Sequence, residues 1–286
     1  MAIGRIGVVG AGLMGSEIAL VFALAGKDVL LSDISEDSLK RALDNLGKVL
    51  DKGAQRGFYP AEQKAPTLAR IRTTTDLVLY ADRDLVIEAV FEDEKVKADT
   101  FRKLDVICAD VCIIATNTST ISISGLAAYV KPARRPYFLG THLFSPVSRM
   151  KLVEVIPGLD TAPETVEAAM AVCKDAGKVP IRVKDVVGFA VNRILHAFMI
   201  EAVRLVEEGV ATPEEIDLAC KLGLGHPVGP FELSDAVTNS LSLQAQEIMH
   251  AAYGPRFLPR PLLKQMVQAG YNGKKAGRGW YRYDKK

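Results

Sequence analysis

Short apolar runs alternate with amphipathic helical patterns along the chain as far as residue 186. Continuously apolar runs suit strands buried in a parallel sheet, and a three- and four-residue apolar period suits helices that cover it. Strand patterns lie at residues 6–9, 29–31, 84–90, 111–115, 137–141, 152–156 and 179–183. The alternation predicts an α/β fold with a Rossmann-type, doubly wound and mostly parallel sheet.

The helical patterns between these strands have recognisable starts and inner faces. Ser35 is expected to cap a long helix whose apolar face includes Leu39 and Leu46. Other helices are expected at 13–24, 92–109 and 163–176. In the second of these the spacing predicts inward-facing side chains at Val96, Phe101, Leu104 and Ile107.

The pattern changes after residue 186. Helical segments follow at 189–208, 213–222, 241–253 and 261–269, with no convincing strand among them. We therefore expect two domains, an α/β domain over 1–186 and an all-helical C-terminal domain over 187–286.

The first strand pattern runs directly into a glycine-rich turn, G-A-G-L-M-G at residues 10–15. Gly10 permits a tight turn, Gly12 permits close approach of a pyrophosphate, and Gly15 permits the next helix to pack against the strand. Leu13 and Met14, between the last two glycines, are expected to line the cofactor, whose phosphates face the N-terminus of that helix. An ordinary strand–turn–helix with incidental glycines is the alternative.

An acidic residue ends the second strand pattern. Asp33 lies 18 residues after Gly15, where a carboxylate accepts hydrogen bonds from both ribose hydroxyls and repels a 2′-phosphate. Together, the glycine turn and Asp33 predict that the cofactor is NAD rather than NADP.

Composition narrows the class of protein. The chain has 286 residues, 49% of them hydrophobic, and a formal net charge of +2. This near balance of charge argues against a dedicated nucleic-acid surface. No apolar run approaches the ~20 residues of a membrane span, and the early first strand leaves no room for a signal peptide.

The four cysteines, Cys108, Cys112, Cys173 and Cys220, have neither C-x-x-C nor zinc-ligand spacing. We expect reduced, buried thiols in a cytoplasmic protein and no metal site.

The most informative polar residues are His142 and Glu154, each at or within an apolar strand pattern. A carboxylate is costly to bury unless it is paired, and a neighbouring imidazole would provide the partner. Glu154 would hold one ring nitrogen, and the other would take a proton from a substrate hydroxyl. A structural histidine with a surface glutamate is the alternative.

Other polar residues are more ambiguous. Ser119, in N-T-S-T at 117–120, could cap a following helix or face a ligand at the carboxyl end of a strand. Asn192 would be an expensive insertion in an apolar helix without a function. His196 fits a helix core, and His226 and His250 have no evident acidic partner.

The helix that begins after Ser35 carries basic residues on its outer face and at its end, among them Lys52 and Arg56. Such a run is usually a solvated face, and the alternative is a binding site for an anionic tail.

Motifs in the same order along nearly the whole chain make it resemble the NAD-dependent L-3-hydroxyacyl-CoA dehydrogenases. They are the glycine turn, N-T-S-T, H-L-F-S-P-V at 142–147, V-E-V at 153–155, G-F-A-V-N-R at 188–193, G-H-P-V-G-P-F-E-L at 225–233 and the closing G-R-G-W-Y-R-Y.

This resemblance implies that His142 is the catalytic base, that Glu154 orients it, and that Ser119 and Asn192 hydrogen-bond around the reacting oxygen. It also implies that Asp33, Glu92, Lys97 and Asn117 line the cofactor or shared pocket, and that the helical domain forms a homodimer. Since the implied acyl-CoA substrate is polyanionic, we expect Lys52, Arg56 and Lys97 to contact its phosphates.

Two stretches depart from the family pattern. Ser145 replaces an Asn found in many single-domain members, although multifunctional fatty-acid-oxidation enzymes resemble this chain there. S-D-A-V-T-N-S at 234–240 stands where V-G-L-D is common, so the acyl group is expected to differ from a plain short chain. A free β-hydroxyacid substrate, or a non-catalytic crystallin-like role, remains an alternative to the thioester.

Overall fold

The computed structural model describes residues 3–283, which divide into two compact units, one ending at Val186 and one beginning at Val187. Within the described residues, no helix is both long enough and apolar enough to cross a membrane.

An eight-stranded sheet forms the centre of the first unit. Its strands are β1 (Arg5–Val9), β2 (Asp28–Ser32), β3 (Ile71–Thr74), β4 (Leu85–Glu88), β5 (Ile113–Thr116), β6 (Phe138–Leu143), β7 (Leu152–Pro157) and β8 (Val179–Arg182). Their order is β3-β2-β1-β4-β5-β6-β7-β8. Neighbours are parallel except β6 and β7, so the last two strands run opposite to the first six. The predicted Rossmann-type sheet is confirmed.

Six α-helices lie in the described part of this unit. They are α1 (Leu13–Leu24), α2 (Glu36–Gln55), α3 (Lys64–Ala69), α4 (Glu94–Ile107), α5 (Ile123–Ala127) and α6 (Pro163–Asp175). The start and end of α1 match the sequence prediction. Ser35 caps α2 as expected, since its hydroxyl accepts the Ser38 N–H at 3.3 Å.

Tyr80 ties the first two strands together behind the glycine turn. Its buried hydroxyl lies 2.7 Å from the Val8 carbonyl on β1 and 3.0 Å from the Leu30 carbonyl on β2. The ring occupies the space that a side chain at Gly7 would need. Gly7 is therefore required by packing, and it helps to align the strand ends that precede the turn.

The inner face of α4 corrects one sequence prediction. Val96 is 43% exposed, whereas the neighbouring Lys97 is buried together with Phe101 and Leu104. The prediction was wrong because the apolar Val96 was assigned to the inner face of α4, whereas Lys97, paired with Glu88, occupies that face. The edge strand β3 and the short α3 were also not predicted. Three of the four residues of β3, I-R-T-T, are polar, which is tolerated because β3 lies at the sheet edge.

The second unit is helical. It contains α7 (Val191–Glu207), α8 (Pro213–Gly223), α9 (Pro230–Val237), α10 (Asn239–Tyr253) and α11 (Pro261–Gln268), and no strand longer than an isolated bridge occurs up to residue 283. Thr212 caps α8 in a capping box with Glu215. The sequence had indicated four of these helices, and α9 was missed because glycine and prolines precede it.

The unusual 234–240 stretch anchors the end of this unit. Asp235 is buried, and its carboxylate accepts the backbone N–H groups of Trp280 and Tyr281, each at 2.9 Å, and the Tyr283 hydroxyl at 3.0 Å. Asn239 is also buried and donates to the Tyr271 carbonyl at 2.7 Å. At these positions the departure has a structural role.

Candidate active site

The glycine turn between β1 and α1 is shaped by close backbone contacts. Gly10 has a φ of +105°, and a Cβ there would lie 2.6 Å from the Ala89 carbonyl oxygen. A Cβ on Gly15 would overlap the Gly10 carbonyl oxygen. Gly12 instead faces open space, with no atom within 4 Å of its ideal Cβ position.

The first turn of α1 is suited to a phosphate. Gly12 is its N-cap and supplies no side-chain acceptor, and the first turn contains no acidic residue. N–H groups at such a helix start bind anions well. Leu13 is exposed and Met14 half-buried at this turn. The residues present therefore fit the diphosphate of a dinucleotide.

Asp33 is held against the same turn. One carboxylate oxygen accepts the Ala11 N–H at 2.9 Å and the other accepts the Ser35 N–H at 3.2 Å. Since each carboxylate oxygen has two lone pairs, these bonds orient the group and leave acceptor capacity for ribose hydroxyls. This arrangement agrees with an NAD site.

A buried charge network lies at the end of the neighbouring strand β4. Glu88 is fully buried, and its carboxylate accepts from Lys97 Nζ at 2.7 Å and from the Thr116 hydroxyl at 2.6 Å. Lys97 is 1% exposed and also lies 3.1 Å from Glu92 Oε2. Buried charges are tolerated when paired in this way.

This burial corrects part of one expectation. With its ammonium group enclosed between two carboxylates, Lys97 does not fit a contact with CoA phosphates. Glu88 was not predicted as a site residue, although the sequence contains a signal for it. It is a carboxylate inside the apolar run L-V-I-E-A-V, the same pattern that drew attention to Glu154.

Glu92 organises the loop that follows β5. Its Oε1 accepts the Thr118 hydroxyl at 2.5 Å and the Ser119 N–H at 2.8 Å. Burial acts to raise the pKa of Glu92, but the Lys97 charge and these hydrogen bonds outweigh it and hold the pKa below its usual value. The carboxylate therefore stays ionised and keeps the loop in place.

The loop residues have separate tasks. Ser122, not Ser119, caps α5, since its hydroxyl accepts the Gly125 N–H at 3.1 Å. The capping alternative for Ser119 is thereby removed. Asn117 Oδ1 accepts the Leu143 N–H at 2.9 Å, which ties the loop to the residue next to His142.

His142 and Glu154 face each other directly across the antiparallel pair β6 and β7. His142 Nδ1 lies 2.8 Å from Glu154 Oε2, and Glu154 is 0% exposed. A carboxylate can only accept, so Nδ1 donates and the tautomer with an unprotonated Nε2 is favoured. The expected contact between the two residues is present.

The remaining candidates lie elsewhere in the chain. Lys52 and Arg56 are exposed at the end of α2, and none of the ion pairs among residues 3–283 involves them. Asn192 is half-buried in the first turn of α7, in the second unit. His196 is buried there, as expected of a core residue. The four cysteines are free and buried, also as expected.

A dinucleotide turn, an acidic residue after β2 and a buried histidine–carboxylate pair on the same sheet define a nicotinamide-dependent dehydrogenase. A family model described as the NAD-binding domain of 3-hydroxyacyl-CoA dehydrogenase matches residues 5–186. The model of the C-terminal domain of 3-hydroxyacyl-CoA dehydrogenase matches residues 188–283. The chain belongs to the 3-hydroxyacyl-CoA dehydrogenase family, and its cofactor is NAD.

Individual relatives are similar to this chain over nine tenths or more of their length. A probable 3-hydroxybutyryl-CoA dehydrogenase of Deinococcus radiodurans is 42% identical, and the match covers 98% of this chain and 100% of the relative. The mitochondrial hydroxyacyl-coenzyme A dehydrogenase of Sus scrofa is 40% identical over 96% of this chain and 90% of its own. The crystal structure of (S)-3-hydroxybutyryl-CoA dehydrogenase from Ralstonia eutropha has a TM-score of 0.95 and 40% identity, and the match covers 99% of this chain and 100% of that chain.

Proposed function

We propose that this protein interconverts an L-3-hydroxyacyl-CoA and the 3-ketoacyl-CoA with NAD, and that His142 is the general base. The observation that carries the assignment is the 2.8 Å contact between His142 Nδ1 and the buried Glu154 carboxylate. A histidine held in this tautomer by a buried carboxylate is suited to accept a proton on Nε2.

In the oxidation, His142 Nε2 takes the proton of the 3-hydroxyl group. NAD held at the glycine turn would supply the hydride acceptor for C3, so that the alcohol would lose two electrons and two hydrogens and become a ketone. Glu154 stabilises the imidazolium that forms, because its negative charge lies against the protonated ring. In the reverse direction the imidazolium returns its proton to the ketone oxygen.

Ser119 and Asn192 complete the proposed catalytic group. The family resemblance implies that each hydrogen-bonds to a reacting group, and a positioned donor contributes about 3 kcal/mol. The hydrogen bond from Ser119 N–H to Glu92 supports this role for Ser119, because it fixes the backbone that carries the hydroxyl.

The cofactor residues follow from the turn and the charge network. We assign Gly10, Gly12 and Gly15 to the diphosphate and Asp33 to the adenosine ribose. Leu13, Met14, Glu92, Lys97 and Asn117 are assigned to the rest of the NAD pocket. For the CoA phosphates we retain the exposed Lys52 and Arg56.

The helical unit supports a homodimer. Large apolar side chains are exposed on it, among them Ile194, Leu218, Leu222 and Leu224. Exposed apolar side chains in such numbers favour a protein interface. Light scattering should give twice the mass of one chain, and Leu222→Lys should lower it. The buried free thiols support a cytoplasmic location.

The test of the function is NADH oxidation with a panel of 3-ketoacyl-CoAs that differ in length, branching, aromaticity and a second carboxylate. The panel also identifies the acyl group, and a free 3-keto acid tests the alternative substrate. If none of the 3-ketoacyl-CoAs in the panel is reduced, the proposal is contradicted.

The test of the base is His142→Gln, with His250→Gln as the matched control on α10. We expect the first variant to lose at least about 100-fold in kcat, the scale of general base catalysis, with NADH affinity nearly unchanged. The control should keep wild-type activity. Equal activity of His142→Gln and the wild type would remove the assignment.

A further inference from the structure

The loop that joins β6 to β7 is held in place by hydrogen bonds to its backbone. Lys178 is buried, and its ammonium group donates to the carbonyl oxygens of Val147 and, at 2.8 Å, Met150. The N–H groups of Arg149 and Met150 both donate to the Pro146 carbonyl, at 3.0 Å and 2.9 Å. The backbone at Arg149 is thus held in one conformation even though its side chain is exposed.

Arg149 extends toward an exposed aromatic ring. Its guanidinium carbon lies 5.9 Å from the ring centroid of Phe58, which is 57% exposed. Phe58 follows the end of α2, so this contact brings the α2 end next to the β6–β7 loop. A large aromatic side chain left this exposed, beside a cation, is suited to stack on a planar ligand.

The end of α2 carries two more positive charges. Arg56 precedes Phe58 by two residues, and Lys52 lies one helical turn before Arg56. Within residues 3–283, no ion pair uses Arg149, Arg56 or Lys52. An exposed aromatic ring beside one cation, at the end of a helix that carries two more, matches a ligand that combines a planar base with several phosphates.

We propose that Phe58 and Arg149 bind the nucleotide end of CoA, with Phe58 against the adenine and Arg149 on a phosphate. This rests on the acyl-CoA substrate proposed above. Arg149 follows His142 by seven residues, a stretch that spans at most about 25 Å, so one short segment carries the base and the nucleotide contact. Arg149 then determines specificity for the CoA part of the substrate and not for its acyl group.

The experiment compares two thioesters with the same reacting end, acetoacetyl-CoA and acetoacetyl-pantetheine, which lacks the nucleotide. For Arg149→Met we expect KM for acetoacetyl-CoA to rise about tenfold, as for a charge-assisted contact that is partly exposed to water. We expect kcat, KM for NADH and both constants for acetoacetyl-pantetheine to stay within about twofold of wild type. Phe58→Leu should behave in the same way, and Arg149→Lys should recover part of the loss.

Arg41→Gln is the matched control. Arg41 is exposed on the same helix, contacts only Ser38 at 3.0 Å through its side chain, and lies about 22 Å from Arg56 along the axis. It should leave every constant unchanged. A loss for Arg149→Met that is equal with both thioesters, or absent with both, would overturn the proposal.

Calorimetric binding of free CoA separates this inference from the enzymatic one. If the wild type reduces neither thioester, the dehydrogenase function has failed, while a tenfold weaker CoA affinity of Arg149→Met than of wild type still supports the nucleotide site. Equal CoA affinity of the two proteins overturns it.

Discussion

Replacing Glu88 by Gln is expected to destabilise the first unit and to weaken NADH binding together. The substitution keeps the shape of the side chain and removes one charge from a buried network. Lys97 would keep only Glu92 as an ionic partner, at 3.1 Å, and Glu92 is partly exposed. Because Glu92 also holds the Ser119 loop, a shift of Lys97 would reach the cofactor pocket.

The structure sets the size of the effect. At 2.7 Å and an effective dielectric constant of about 20, the attraction between Lys97 and Glu88 is about 6 kcal/mol, an upper bound. Removing one partner of a buried pair costs about 3–5 kcal/mol. Since Glu92 compensates in part, we expect a loss of about 3 kcal/mol, which lowers Tm by about 6–12 °C for a protein of this size.

Thermal unfolding of Glu88→Gln, Lys97→Met and the double variant measures the coupling. We expect the loss of unfolding free energy in the double variant to be smaller than the sum of the two single losses by at least about 1.5 kcal/mol. The reason is that each single substitution leaves one buried charge without its partner. Thr116→Val is the matched control, since it removes a hydrogen bond to Glu88 but leaves the ion pair with Lys97 in place, and it should cost about 2 kcal/mol. Additive losses, with NADH affinity unchanged in Glu88→Gln, would refute the reasoning.

Three further predictions address the cofactor, pH and the C-terminal segment. The wild type should prefer NADH over NADPH by at least about tenfold in kcat/KM, and Asp33→Ser should narrow that ratio, because the carboxylate that repels a 2′-phosphate is gone; equal use of NADPH by wild type would contradict this. Burial lowers the pKa of His196 to about 4, so the neutral ring stabilises the native state above pH 6.5 and this stability is lost as pH falls toward 4. Between pH 7 and 5 the wild type should lose about 2 kcal/mol more than His196→Leu in unfolding experiments, and parallel pH profiles would exclude the effect. Asp235→Ala should cost about 3 kcal/mol in thermal unfolding, because three donors lose their acceptor, whereas exposed Glu208→Ala should cost little.

Local sequence patterns were sufficient where one residue type has one physical reason to be present. The glycine turn, the bounds of α1 and the Ser35 cap follow from backbone sterics and short-range hydrogen bonds, and these predictions agree with the structure. Glu154 could be recognised because an unpaired carboxylate in an apolar strand is unfavourable.

Long-range pairing limited the rest. Val96 was expected to face inward on α4, and only the fold brings Glu88 and Glu92 around its neighbour Lys97, which takes the buried position instead. Ser119 and Ser122 are equally good caps in sequence, and the start of α5 decides between them. Arg149 and Phe58 lie 91 residues apart, and no local pattern connects them.

The register of β6 on β7 has a consequence for insertions and deletions. His142 and Glu154 are directly paired across the two strands. A single residue added or removed within one strand, between its paired end and that residue, would turn His142 or Glu154 to the opposite face of the sheet. The loop between them could change length without moving either one. Variation among relatives should therefore accumulate in that loop, where Arg149 lies, while the lengths of the two strands stay constant. The proposed recognition of CoA could therefore change in that loop without moving His142, the proposed base.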